Sequence, residues 1–174
     1  MATIEIAPLT DRLTDEEIDD LASALEKAQA PKLPKGDDGI RKVIGNGLDE
    51  DIVTEFMDRL EAHEIACEIY LPIEFEGRVE VGDFRAGSLV TLLETLAELK
   101  DDFNLETDDD EEADEEDEGE GDGDDEGDED EEEEDDDDDS VAALIERRLQ
   151  VLWKVFHAGA RRAMDRKIPL HIRM

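Results

Sequence analysis

The sequence predicts an α+β fold: a small antiparallel or mixed sheet of about four short strands, helices packed on one face, and a disordered acidic insert. Three observations carry this prediction. Apolar residues alternate near both chain ends and in the middle, as in strands with one buried side. Four other stretches repeat apolar residues at helical spacing behind a capping residue. Between them, 28 of the 34 residues from Glu106 to Asp139 are Asp or Glu. Nothing in that tract is apolar and larger than Ala113, so no burial offsets the entropy of ordering its backbone, and like-charge repulsion extends it.

Taking the elements in order, Ile4 and Ile6 alternate within TIEIA, a short strand stopped near Pro8. Thr14 and Glu17 have the spacing of a capping box ahead of Ile18, Leu21, Ala22, Leu25 and Ala28, which share one helix face. Pro31 and Pro34 end that helix in the loop PKLPKGDDG, whose P-x-x-P spacing is common in ordinary loops. A helical turn is expected from Ile40 to Ile44, with Gly45-Asn46-Gly47 as its C-cap and turn. Asp49 caps the next helix, whose apolar side is Ile52, Val53, Phe56, Met57 and Leu60, with Leu48 as an entrance staple.

From Ile65 to Phe75 every odd position is apolar, which predicts a strand with a wet opposite side. Val79 and Val81 continue the pattern, so Phe75 should oppose Val79 and Ile73 oppose Val81 in a hairpin turning at Glu76-Gly77-Arg78. Pro72 lacks an N–H, which predicts an edge or a bulge there. Ser88 caps a helix carrying Leu89, Leu92, Leu93, Leu96 and Leu99 and running to about Phe103. Ser140 caps a long helix on which Val141, Ile145, Leu149, Leu152, Val155, Phe156 and Ala163 fall within roughly 120° of arc. Burial of Leu144 and Ile145 with this stripe is expected, and Arg148 within it must snorkel or find a partner. The chain closes on Ile168, Leu170 and Ile172 alternating with Pro169, His171 and Arg173, a strand expected at an edge because of its proline. The two terminal strands are candidates to pair with each other or to flank the hairpin.

The expected division is therefore residues 1–105 as the N-terminal part of a single α+β domain, 106–139 as the insert, and 140–174 as an amphipathic basic helix and terminal strand completing it. Charge divides as unevenly as structure. The tract carries −28, residues 140–174 carry eight Lys or Arg against Glu146 and Asp165, and the whole chain carries −38. Cys67 is alone, which excludes an intramolecular disulfide, and MATIEIAPLTDR lacks a positive region followed by an apolar run. With no run of about 18 apolar residues there is no membrane span, and a cytoplasmic location is the expectation.

Signs of catalysis are weak. No G-x-S-x-G, CxxC, HExxH or GxGxxG motif occurs, and His63 and Cys67 straddle a helix-to-strand change that spoils them as a metal pair. Cys67 on the apolar side of its strand reads as a buried structural thiol, and His157, on the far side of its helix, as a solvated one. Asp122, Asp124, Glu126, Gly127 and Glu133 approximate a calcium-loop spacing, but an overlapping register fits almost as well in so acidic an alphabet. Weak, diffuse divalent-cation binding is the expectation, with no metal site, catalytic residue or cofactor.

The expectation is thus a non-enzymatic interaction protein whose acidic arm engages basic surfaces of a protein partner, a nucleic-acid-binding one included, without itself binding nucleic acid. In composition the tract resembles the acidic arms of histone chaperones and some chromatin proteins, a likeness confined to 34 residues. The candidate interaction residues are Asp135, Asp136, Asp137, Asp138 and Asp139 on the arm, and Arg147, Lys154, Arg161 and Arg162 on the helix that the arm would otherwise mask. A membrane-surface role for Trp153 and Phe156, or a nucleic-acid contact by those cations, is opposed by the adjoining −28. The competing reading is a small-ligand-binding or enzymatic domain in which the tract only solubilises.

Overall fold

A computed structural model of the chain describes residues 1–34, 40–103, 105 and 140–174. The expected disorder of 106–139, the calcium-loop spacing and Asp135 to Asp139 lie outside the described residues, as does 35–39 of the proline-flanked loop. The elements are β1 (Ala2–Ile6), a 3-10 turn (Leu9–Asp11), α1 (Asp15–Lys27), β2 (Lys42–Leu48), α2 (Glu50–Glu61), β3 (Ile69–Leu71), β4 (Val79–Val81), β5 (Phe84–Ser88), α3 (Leu89–Glu98), α4 (Val141–Arg166) and β6 (Leu170–Arg173). The fold is α+β. Its mixed sheet has six strands rather than about four, in the order β2-β1-β6-β3-β5-β4.

Each helix starts where a side chain satisfies the backbone N–H groups that the first turn leaves without partners. Thr14 and Glu17 form the reciprocal capping box of α1. Asp49 accepts from the amide of Asp51, Ser88 from those of Val90 and Thr91, and Ser140 from that of Ala143. Ser88 also donates its hydroxyl to the carbonyl of Ile73 at 2.7 Å, which locks the α3 cap to the segment after β3.

Consecutive strand residues feed two cores. Ile4, Ile6, Tyr70, Leu170 and Ile172 face Phe56 of α2, Leu92 and Leu96 of α3 and Phe156 of α4. Ile69, Leu71, Val79, Val81 and Ala86 face Leu21 and Leu25 of α1. So α1 covers the sheet face opposite the other three helices, a correction to the expectation of helices on one face. The cause lies in β3, where adjacent Ile69 and Tyr70 are both buried and each side needs a cover.

Three other expectations are corrected by long-range pairing. Lys42–Leu48, which takes in the second part of the helical turn expected over Ile40–Ile44 and its Gly45-Asn46-Gly47 cap, is a strand paired with β1 across register shifts. A Cβ on Gly45 would sit 3.1 Å from side-chain carbons of Leu48 and Val155, so the strand approaches α4 closely there. The expected hairpin also pairs differently: β4 joins β5, through a turn with Gly82 at φ +57, and β3 runs parallel to β5. Ile73, Phe75, Val79 and Val81 nevertheless share one core, and β3 stops at Leu71, just before Pro72. Finally, β6 is no edge strand. It lies between β1 and β3, and Pro169 precedes it, where its missing N–H costs no ladder bond while its carbonyl accepts from Ala7 at 3.2 Å.

The long helix is buried along only part of its length. Leu149, Leu152, Trp153, Phe156, Gly159, Ala160 and Ala163 are buried, whereas Val141, Leu144 and Ile145 are 73%, 45% and 37% exposed. The expected burial of those three residues is corrected. Arg59 near the end of α2 pairs with Glu146, and Asp49 at its start pairs with Arg148, so both ends of α2 meet one turn of α4. The helices therefore cross there, and α3 meets α4 further along, where Trp153 Nε1 donates to the carbonyl of Leu96 at 2.9 Å. The first turns of α4 precede both contacts.

Candidate interaction face of the C-terminal helix

Four of the expected interaction residues lie on α4. Arg147, Lys154 and Arg161 recur every seven residues, about 10.5 Å apart along the axis, and all are exposed. Arg162, also exposed, stands beside Arg161. Among the described residues Lys154, Arg161 and Arg162 form no ion pair, whereas Arg147 has a partner of its own. Arg166 lies in the last turn of α4, where its charge suits the helix dipole.

His157 lies in the same neighbourhood and is half-buried rather than solvated, which corrects the expectation. Its ring stacks on Trp153 with centroids 4.8 Å apart. Burial, and then the positive charges of Arg161 and Lys100, push its pKa below the usual histidine value. Trp153 and Phe156 are both committed to the core, the latter against Phe56 at 4.6 Å.

Sequence reasoning missed two further places. The first is a groove of 340 Å³ between the start of α2 and α4, lined by Leu48, Ile52, Val53, Val151 and Leu152 with Asp49, Arg147 and Arg148 at its rim. Val151, off the predicted stripe, was the available signal. The second is a charged cluster on the α1 side of the sheet. Glu5, 1% exposed, meets Arg41 at 3.1 Å and Arg173 at 2.6 Å, the latter an ion pair whose angle makes no hydrogen bond. His171 stands opposite Glu5 in the β1–β6 register, fully buried, with Nε2 donating to the carbonyl of Ala7 at 2.9 Å. Burial pushes its pKa down to about 4, so the ring is neutral at pH 7, and Nδ1 has no hydrogen-bond partner among the described residues. Arg12 closes the cluster by donating to the carbonyls of Glu68 and Ile172 while its guanidinium lies 4.5 Å from the centre of the Phe84 ring. The groups tie β1 to β6 and to Arg41 just ahead of β2, and breaking them is costly because the Glu5 charge is left buried.

Cys67 is buried, as expected, and burial pushes its thiol up to about 12, so no thiolate nucleophile is present at neutral pH. Among the described residues no group of three or more His, Cys, Asp or Glu is placed to hold a metal ion, and no helix is long and apolar enough to cross a membrane. No protein-family model, curated protein or solved structure matches the chain.

Proposed function

We propose that this is a non-enzymatic, cytoplasmic interaction protein in which residues 106–139 engage the basic surface of a protein partner. One observation carries the reading. The segments on either side of the tract belong to one sheet and one core: β6 lies between β1 and β3, while Leu99 and Phe103 pack with Leu149, Leu152 and Phe156. We accordingly treat 1–105 and 140–174 as one folding unit from which 28 carboxylates are left over for an outside partner.

The anchors of that segment bound its reach. Gln150 Nε2 donates to the carbonyl of Phe103 at 2.7 Å, so the outgoing chain passes α4 ten residues, or about 15 Å, from Ser140. At roughly 3.5 Å per residue, 34 residues have a contour of about 120 Å, which permits at most about 60 Å outward from anchors so close together. Their charge density, about one per 4 Å, is near that of a single nucleic-acid strand at about one per 3.4 Å. A protein surface built to hold nucleic acid is matched in charge and spacing. Lys154, Arg161 and Arg162 favour a second reading, since they form no ion pair among the described residues and lie within that reach: the tract then masks its own helix.

The test is fluorescence anisotropy of a labelled oligolysine peptide with the full chain and with a variant whose residues 106–139 are an equally long Gly/Ser linker. Salt-sensitive binding by the first and none by the second is expected. Equal binding contradicts the proposal. Tighter binding after Lys154→Glu, Arg161→Glu and Arg162→Glu together would favour masking beyond the gain shown by the same triple change in the linker variant.

A further inference from the structure

A smaller cavity lies at the far end of α4 from the groove. Its volume is 170 Å³, and four of the chain's five prolines, Pro8, Pro34, Pro72 and Pro169, line it. A proline has a fixed φ and no N–H, so these walls are rigid and offer no backbone donor. The carbonyls of Pro8 and Pro169 are already taken by the amides of Asp11 and Ala7, at 3.1 and 3.2 Å. Ile18, Leu33 and Ile168 complete the apolar interior. An apolar space of about 150 Å³ holds one benzene ring, whereas sites for drug-sized molecules begin at roughly 300 Å³. The cavity therefore suits a ligand with a single ring.

Its polar groups are confined to the mouth. Of the lining residues only Thr10 and Lys167 are exposed, and neither side chain has a hydrogen bond or ion pair among the described residues. Lys167 brings the only charge in the lining, no carboxylate lines the cavity, and Asp11 beside Thr10 is engaged by Arg41 at 3.8 Å. Charges farther than about 8 Å are largely screened at physiological salt, so the local ammonium sets the sign of the ligand. Lys167 also stands where helices commonly end on glycine. Its φ is 56°, and Ile168 and Lys167 donate to the carbonyls of Ala163 and Met164 at 3.0 and 3.1 Å, the bonds of that left-handed ending. We propose that this cavity binds a small carboxylate carrying a single ring, with the ring among the prolines and the carboxylate accepting from Lys167 Nζ and the Thr10 hydroxyl. The site shares no residue with 106–139 or with Lys154, Arg161 and Arg162, so it stands or falls apart from the preceding reading.

The test is an NMR titration of the full chain with phenylacetate at about 150 mM salt, beside phenylacetamide and benzylamine as neutral and cationic counterparts. Phenylacetate should bind with a dissociation constant of about 1 mM or tighter, which about ten non-hydrogen atoms can supply. It should bind at least about tenfold tighter than the amide, the gain expected from hydrogen bonds between charged groups. The shifted backbone amides should include those of Leu9, Leu33 and Ile168. Lys167→Gly should lower phenylacetate to the level of the amide while leaving the melting temperature unchanged or higher, because glycine adopts a φ of 56° without strain. A loss of binding in that variant is thus not a loss of fold. Failure to saturate by about 10 mM, equal affinity for acid and amide, or a preference for the acid that survives Lys167→Gly overturns the proposal. So do shifts confined to Lys154, Arg161 and Arg162. Tighter binding of the peptide Gly-Gly-Phe than of phenylacetate overturns the assignment to a free acid, because the carboxylate then belongs to a peptide terminus.

Discussion

From Leu149 to Ala163, α4 buries the residues that its spacing turns inward, with Phe156 at 0% exposure against Phe56. From Val141 to Ile145 the same helix, with side chains just as apolar, stays in solvent. Periodicity therefore identifies which side of a helix can be buried, and the elements crossing it decide how far along the burial extends. Here α2 crosses at Glu146 and Arg148, and what lies before that crossing is left for something else.

The widest separation between the two halves comes from removing everything after Asp139. That deletion takes β6 from between β1 and β3 and Leu149, Leu152, Phe156 and Ala160 from the main core. The fragment should show no cooperative thermal transition by circular dichroism. A monomeric, cooperative melt would mean that the rest of the sheet closes without its central strand.

Within the full chain, Phe156→Ala should cost about 3–5 kcal/mol in urea denaturation, the range for emptying a packed aromatic site. A smaller loss, near that of an exposed site, would erase the contrast between the halves.

Acid should separate His171 from His157 in the same direction but by different amounts. His171 has a folded pKa of about 4 against 6.5 for the unconstrained ring. The folded state thus resists protonation, so this stability is complete above pH 6.5 and is lost as pH falls toward 4, by about 3 kcal/mol. Comparing denaturation midpoints of the native chain and His171→Gln between those pH values removes the contribution of the carboxylates. The variant should show a markedly flatter slope, and an unchanged slope would refute the assignment. His157 is half-buried and should contribute less.

The smallest effect belongs to the exposed half. Leu144→Ser should change stability by no more than about 0.5 kcal/mol, because little apolar surface is lost there from the core.

How much of this was legible follows the range of the interactions. The four caps, Thr14, Asp49, Ser88 and Ser140, act within three residues of themselves and could be read directly. Two alternating segments made the chain ends candidates to pair with each other or to flank the hairpin, and β6 pairs with both β1 and β3. By contrast, Gly45-Asn46-Gly47 has the composition of a turn, and only its pairing with β1 makes it a strand. The strand FRAGS has almost no apolar pattern. Its Gly87 is set by a neighbour far along the chain, since a Cβ there would stand 2.9 Å from Cys67 Sγ. On the interaction face, the cations of α4 were visible as a seven-residue repeat. The groove was not, because it exists only where α2 crosses.

The central claim is that the fold closes without residues 106–139, leaving their carboxylates for a partner. Its most direct test is the thermal melt of the chain with that segment replaced by a Gly/Ser linker of equal length. The melting temperature should be unchanged or higher, since the tract offers no apolar burial and its self-repulsion opposes compaction. A fall of more than about 5 °C, corresponding to roughly a kcal/mol or more in a domain of this size, would show that the acidic residues hold the fold together, and would contradict the account.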